Sequence, residues 1–72
     1  MKKFRIQPYS VGELAQLYCP DRDYYSALRL FHKDLKETRG LLGALRKVGY
    51  KDENRLLTRG QVQVIVQHLG EP

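Results

Sequence analysis

The stretch SVGELAQLYCP, residues 10–20, decides the helical character of the fold, because it carries both a start signal and a stop signal for a helix. Ser10 and Glu13 have the S/T-x-x-E spacing in which the hydroxyl and the carboxylate each accept a hydrogen bond from a free backbone N–H group. Pro20 cannot continue the helical hydrogen-bond ladder, and it also restrains the residue before it. The stretch therefore predicts a first helix within residues 10–19. Its inward-facing residues, at i, i+3 and i+4, are expected to be Leu14, Leu17 and Tyr18.

The next segment has helical spacing as well. A second helix is predicted from about residue 23 to residue 36, with Asp21 or Asp23 as its N-cap. At roughly 100° per residue, its apolar side chains gather on one side. The residues expected on that inner side are Tyr24, Ala27, Leu28, Phe31 and Leu35.

A third helix is predicted over about residues 38–48. Gly49 fits the left-handed position that ends many helices, and Tyr50 is then expected to contact Leu45 as in a Schellman cap. The inner side of this helix is expected to carry Leu41, Leu42, Leu45 and Val48. The charged segment 51–55 that follows predicts a loop.

The last segment is ambiguous between a strand and a helix. QVQVIVQ, residues 61–67, alternates with a period of two and is rich in β-branched residues, which favours a strand. However, TRGQ at residues 58–61 repeats the capping pattern of the first helix, and apolar residues recur at helical spacing. These are Val62, Ile65, Val66 and Leu69. We predict a helix over residues 58–69 that stops at Gly70. Val64 then points away from the main apolar side and either fills a side pocket or contacts a second chain.

A minimal two-strand contact could accompany the helices. Residues 4–6 and 55–57 are short alternating segments ahead of the two capped helices, although so short a ribbon is only marginal without packing. A chain of 72 residues is too short for two domains. The predicted fold is therefore mainly α, a compact four-helix single domain over residues 1–72, to which a contact between residues 4–6 and 55–57 can be added.

The charge balance favours a polyanionic partner. Thirteen lysines and arginines against eight aspartates and glutamates give a formal net charge of +5. The same excess is also a common solubility device in small chains. No apolar run approaches the roughly 20 residues of a membrane span, and the N-terminal residues lack the apolar core of a secretory signal. With Cys19 as the single cysteine, these features predict a cytoplasmic protein without a membrane partner.

Few residues could support catalysis. Cys19 could form a thiolate pair with His32 or His68, but no recognisable nucleophile motif surrounds it. A lone cysteine at the end of a helix is more often a small buried side chain. Asp21 and Asp23 fit helix capping better than acid and base chemistry. We therefore expect no enzyme activity, no catalytic residues, no cofactor, no metal site and no small-molecule substrate.

The sharpest functional pattern is a basic side on the second helix. Four cationic residues fall within roughly 60° of one another on a helical projection, with a serine beside them. These residues, the predicted nucleic-acid contacts, are Arg22, Ser26, Arg29, Lys33 and Lys36. Residues 10–19 and 22–36 would form a helix-turn-helix-like pair in which the second helix meets duplex DNA. Two features count against this interpretation. Cys19 occupies the turn position that is usually glycine, and Asp23 adds a negative charge near the predicted DNA.

Two other interpretations remain open. Charged residues opposite an apolar side are usually only solvated, and Lys33 could pair with Glu37 at i, i+4. Alternatively, the chain is a protein interaction or self-assembly module that binds a protein partner or forms a homodimer, with no nucleic-acid role. Val64 and the tyrosines Tyr24 and Tyr25, which this alternative takes as exposed, motivate it, because the chain is too short for a generous core.

Nearly the whole chain resembles a family of small uncharacterised proteins from Bacteroides and its relatives, described as a domain of unknown function. The residues that carry the resemblance are Phe4, Tyr9 to Ala15, Tyr18 to Pro20, Ala27, Leu45, Gly49, Tyr50, Arg55, Leu57, Thr58, Gln61, Val62, Ile65 and Leu69 to Pro72. The resemblance implies a compact helical intracellular protein and assigns no functional residues. The YSVGELA segment is also similar, more weakly, to the first helix of excisionase-like and mercury-resistance-regulator-like helix-turn-helix domains.

Overall fold

The computed structural model describes residues 4–51, 53 and 55–72. Within these residues the chain forms four helices and one pair of two-residue strands, in agreement with the predicted fold class. In chain order the elements are β1 (Tyr9–Ser10), α1 (Val11–Tyr18), α2 (Tyr24–Glu37), α3 (Leu41–Lys47), β2 (Leu56–Leu57) and α4 (Arg59–Leu69). The segment QVQVIVQ is therefore helical, as its capping pattern indicates.

The strand pair brings the starts of α1 and α4 together. The strands are antiparallel, with Tyr9 opposite Leu57 and Ser10 opposite Leu56. The ladder continues into α1, because the backbone N–H of Val11 donates to the carbonyl of Arg55 over 2.8 Å. Each strand leads almost directly into a capped helix.

The predicted position of the first strand, residues 4–6, is wrong. The partner of β2 is the segment immediately ahead of α1. Residues 4–6 instead fold back onto it: the ring of Phe4 stacks on that of Tyr9 at a centroid distance of 5.6 Å, and the Tyr9 hydroxyl donates to the carbonyl of Arg5 over 3.0 Å.

Both predicted capping boxes are present. In α1 the hydroxyl of Ser10 accepts from the N–H of Glu13, and the Glu13 carboxylate accepts from the N–H of Ser10, each over 3.0 Å. These hydrogen bonds lower the pKa of Glu13. In α4, Thr58 and Gln61 make the same reciprocal pair over 3.2 and 3.0 Å. Side chains close in sequence thus satisfy two of the free donors at the start of each helix.

Gln61 has a second role that Glu13 lacks. Its side chain is 2 % exposed, and its amide group donates to the carbonyl of Val48 over 3.1 Å. One buried side chain therefore caps α4 and satisfies a carbonyl at the end of α3. Val48 itself is 41 % exposed, so its predicted place on the inner side of the third helix is wrong.

Helix α3 ends in the predicted Schellman geometry. Gly49 has φ +85°, the N–H of Gly49 donates to the carbonyl of Arg46, and the N–H of Tyr50 donates to that of Leu45. Only glycine adopts this left-handed conformation without steric cost. The bend returns the chain to the core, where the Tyr50 ring is buried.

Helix α3 starts three residues later than predicted. Thr38 ends α2, because its N–H donates to the carbonyl of Asp34, and its own carbonyl accepts from the N–H of Leu41. Gly40 has φ +81°, which interrupts the helical path between α2 and α3. The segment from Thr38 to Gly40 is thus a turn, and not the first turn of α3.

The core collects side chains from every element except β1. Its members are Val11, Leu14, Ala15, Ala27, Phe31, Leu35, Leu41, Leu45, Tyr50, Leu57, Val62 and Ile65. Val64 packs against this cluster and is half-buried. Leu17, predicted to face inward, is 43 % exposed, since it lies roughly 110° from the centre of the buried side of α1.

The C-terminal residues are tied to α1 by Tyr18. The Tyr18 ring stacks on Phe31 at 5.9 Å, and its hydroxyl donates to the carbonyl of Gly70 over 2.6 Å. Burial, with a contribution from the charge of Glu71, raises the pKa of Tyr18 to about 12. The hydroxyl therefore keeps its proton, and so its donor role, at neutral pH. Gly70 also ends α4 at the predicted position.

The double role of Gln61 generates a stability prediction. Gln61→Glu keeps an acceptor for the N–H of Thr58 but removes the donor to Val48, so we expect the free energy of unfolding to fall by about 1–3 kcal/mol at neutral pH. The loss should shrink in acid, where the introduced carboxyl is protonated and can donate. Chemical denaturation at two pH values measures both effects.

The matched control is Glu13→Gln, which makes the reverse exchange in the capping box of α1. The Glu13 side chain is exposed, so we expect the free energy of unfolding to change much less than in Gln61→Glu. Equal losses for the two variants at neutral pH would show that the hydrogen bond to Val48 contributes nothing.

Candidate nucleic-acid interface

Helix α2 presents cationic side chains to solvent because its opposite side is in the core. Ala27, Phe31 and Leu35 are buried, while Arg29, Lys33 and Lys36 are exposed. We call Arg29, Lys33 and Lys36 the basic face. Its residues follow one another at i, i+4 and i+7, so they lie along one side of the helix. Three of the five predicted contact residues are thus placed together.

The other two predicted residues are placed differently. Arg22 is exposed but precedes the helix, and its N–H donates to the carbonyl of Cys19 over 3.2 Å within the turn. Ser26 is half-buried, and its N–H donates to the Asp23 carboxylate over 3.2 Å. Asp23, and not Asp21, is therefore the N-cap. The start at residue 22 in the helix-turn-helix interpretation is wrong, whereas the start at about residue 23 predicted from helical spacing agrees with α2.

Asp23 also affects the electrostatics of the basic face. Hydrogen bonds from the hydroxyl and N–H of Ser26 lower the pKa of Asp23, and the positive charge of Arg29 lowers it further. The carboxylate is thus ionised near the first cation of the face.

A shallow depression runs along the basic face. Its volume is about 390 Å³, and it is lined by Arg29, His32, Lys33, Lys36 and Glu37. Glu37 is the acidic residue that the sequence predicts as an i, i+4 partner of Lys33. The depression therefore carries three permanent positive charges and one negative charge, a net excess that suits an anionic ligand.

A second and larger depression adjoins the first. It has a volume of about 650 Å³ and lies between the start of α1, the first half of α2 and β2. We call it the tyrosine groove, and it is lined by Ser10, Val11, Gly12, Tyr24, Tyr25, Leu28, His32, Glu53, Arg55 and Leu56. His32 lines both depressions, so the groove and the basic face are contiguous.

Sequence reasoning missed this groove because it placed Tyr24 in the core. Tyr24 is 48 % exposed, and Tyr25 and Leu56 are still more open, at 74 % and 72 %. The residue in the sequence that could have indicated the groove is Gly12. A Cβ at Gly12 would lie 2.5 Å from the Tyr24 ring, so the absence of a side chain lets that ring rest against α1.

The α1–α2 pair matches a helix-turn-helix only in part. Between the C-cap Cys19 and the N-cap Asp23 lie three residues, a connection of the length that this motif uses. However, recognition helices contact bases through their N-terminal residues, and the first turn of α2 begins with Tyr24 and Tyr25. The cations lie further along the helix, where they can reach phosphates.

The residues considered for catalysis or metal binding lie in different parts of the sequence, and only their capacity to hold a metal is addressed by the structure. In the described part of the chain, no three histidine, cysteine, aspartate or glutamate side chains are placed to hold a metal ion. Cys19 is half-buried, whereas His32 and His68 are exposed. None of α1–α4 has the length and apolarity of a membrane-crossing helix.

Comparison with known proteins identifies the family. Residues 5–72 match the family described as Domain of unknown function (DUF4248). The chain belongs to this family. Neither curated proteins nor solved structures include a match to the chain. Membership in DUF4248 supports the expectation of an uncharacterised domain family and leaves the function to be argued from the surface of α2.

The cap of α2 can be tested through its pH dependence. Because folding lowers the pKa of Asp23, the stabilising contribution of its carboxylate is present above the unfolded pKa and is lost as the pH falls through the folded value. We expect Asp23→Ala to lower the melting temperature at neutral pH, and this difference from the unaltered protein to shrink in acid.

Asp23→Asn is the matched variant, because asparagine is as good an N-cap as aspartate and does not titrate. It should melt near the unaltered protein at neutral pH and keep its advantage over Asp23→Ala in acid. Thermal melts that show an unchanged gap between the unaltered protein and Asp23→Ala at every pH would contradict this assignment of the cap.

Proposed function

We propose that this member of DUF4248 is a non-enzymatic cytoplasmic protein that binds duplex DNA through the basic face of α2. The observation that carries the proposal is the exposure of Arg29, Lys33 and Lys36 in one row, directly opposite the buried side of the same helix. Packing of Phe31 in the core fixes which side of α2 faces solvent. A polyanion can therefore meet a preformed row of cations.

The contacts are proposed to be with phosphates more than with bases. Lysine and arginine neutralise phosphates and release counterions, a contribution that does not depend on sequence. Asp23 and the tyrosines at the start of α2 do not supply the base-reading residues of a helix-turn-helix. The net charge of +5, and the exposure of every described lysine and arginine, support binding that relies on charge.

A second candidate is a protein interaction or self-assembly module. The observation in its favour is a set of exposed apolar side chains in a small protein, chiefly Leu17, Leu56 and Tyr25. Val64, which the sequence offered as a contact with a second chain, packs against the core of its own chain. Sedimentation equilibrium at high concentration separates the candidates, because a monomer removes the self-assembly version.

The proposal predicts salt-dependent binding that the basic face controls. Each phosphate contact contributes about 0.9 to the slope of log affinity against log salt concentration, so Arg29→Ala/Lys33→Ala should reduce that slope by about 1.8. Fluorescence anisotropy of a labelled blunt duplex, titrated at several salt concentrations, measures the slope. Duplexes of unrelated sequence should give similar affinities.

Arg46→Ala/Lys47→Ala on α3 is the matched control, since it removes the same charge from exposed positions on another helix. It should weaken binding less and leave most of the slope. Equal effects of the two double variants would show that net charge, and not the basic face, determines binding. Absence of binding to any duplex at low salt would refute the proposal.

A further inference from the structure

We propose that the tyrosine groove binds an unpaired base of the DNA that the basic face holds, so that the preferred ligand is a duplex with an adjoining single-stranded segment. This inference rests on the proposed function and specifies its ligand. The observation behind it is the tyrosine groove. Phosphate contacts to the basic face leave the aromatic side chains of this groove free for another contact.

The aromatic surface of the groove is open and preformed. Tyr24 and Tyr25 lie edge to face, with ring centroids 5.4 Å apart and ring planes at 85°. The ring of Tyr24 lies against Gly12, at a position where a side chain would collide with it. An unpaired base can stack on an exposed tyrosine ring whatever its identity, because every base has a π face.

The positive charge that can meet the backbone of a bound nucleotide lies mainly beside the groove. Arg55 lines the groove, and His32 connects it to the depression that contains Arg29 and Lys33. Among the described lining residues of the groove, Glu53 offsets the charge of Arg55, so the excess of cations comes from the adjoining depression. Cations interleaved with aromatic rings are typical of sites for single-stranded nucleic acid.

The composition of the groove favours a base over an apolar peptide. Grooves that accept an amphipathic helix present apolar pockets for residues at i, i+3, i+4 and i+7. In the tyrosine groove, the larger aliphatic side chains are Val11, Leu28 and Leu56, and Val11 is almost fully buried. Among the large apolar side chains of the lining, the exposed ones are Tyr25, Leu56 and Tyr24, so two of the three are aromatic. The positive excess of the adjoining depression, which suits phosphates, favours a nucleic-acid strand as the occupant.

Three labelled ligands test the inference on the intact protein. They are a blunt duplex, the same duplex with a short overhang of thymidines, and the same duplex with an overhang of equal length that lacks bases. Anisotropy titrations at one salt concentration should show the thymidine overhang bound at least about 5-fold more tightly than the abasic overhang, because stacking on an aromatic side chain contributes this much or more per base. The two overhangs carry the same phosphates, so the difference reports base contacts alone.

Two substitutions at one exposed position locate the contact. Tyr25→Ala should abolish the preference for thymidines over abasic sites, whereas Tyr25→Phe, which keeps the ring, should retain it. Both should bind the blunt duplex as the unaltered protein does. Circular dichroism verifies that each variant is folded, as expected for a side chain that is mostly in solvent.

The outcomes separate this inference from the proposed function. Equal affinities for the thymidine and abasic overhangs, with the blunt duplex still bound, would overturn the inference alone and leave the groove to a protein partner. A preference that survives Tyr25→Ala would also overturn it. Failure of the blunt duplex to bind at low salt would remove the proposed function, and the inference with it.

Discussion

The pairing of Tyr9–Ser10 with Leu56–Leu57 is the constraint on which the arrangement of the helices depends. Ser10 is both the last residue of β1 and the N-cap of α1, and the residue after β2 is the N-cap of α4. The pairing therefore fixes two helix starts beside each other, although these helices are separated by most of the chain. Two residues per strand cannot hold such a contact alone. The core beneath it, to which Leu57 contributes, supplies the remaining stability.

The surface chemistry of α2 follows from this arrangement. Helix α2 packs against α1, and Phe31 lies at the centre of its buried side, in contact with Tyr18. The basic face is then turned away from the core without any further contact being needed. The same packing places the first turn of α2 beside the start of α1 and the end of the loop before β2. The tyrosine groove forms at that junction because Gly12 leaves room for one ring.

Local signals in the sequence were sufficient for the presence of the four helices and for several of their ends. The reciprocal caps at Ser10 and Thr58, and the left-handed end at Gly49, involve residues within a few positions of one another, so their spacing predicts them directly. Features that depend on distant packing were not accessible. The partner of β2 was misplaced because residues 4–6 and 9–10 are similarly short and only the folded chain distinguishes them.

In the candidate interface, too, the part that depends on local spacing was predictable and the part that depends on distant packing was not. Helical spacing alone brings Arg29, Lys33 and Lys36 together, since they belong to one helix. The placement of Arg22 required the N-cap to be known, and two aspartates competed for that position. The groove needed contacts among α1, α2 and β2, which no local pattern encodes. Membership in DUF4248 adds a family but no residue roles, so the function depends on the surface chemistry described above.

Amide chemical-shift mapping by NMR tests the central claim most directly, namely that the outer side of α2 is the surface that meets DNA. The protein, labelled with nitrogen-15, would be titrated with a blunt duplex at low salt. The account predicts that the largest shift changes cluster along α2 from Arg29 to Glu37, with small changes in α3 and α4. Changes concentrated on α3 or α4, or no changes at all, would contradict it.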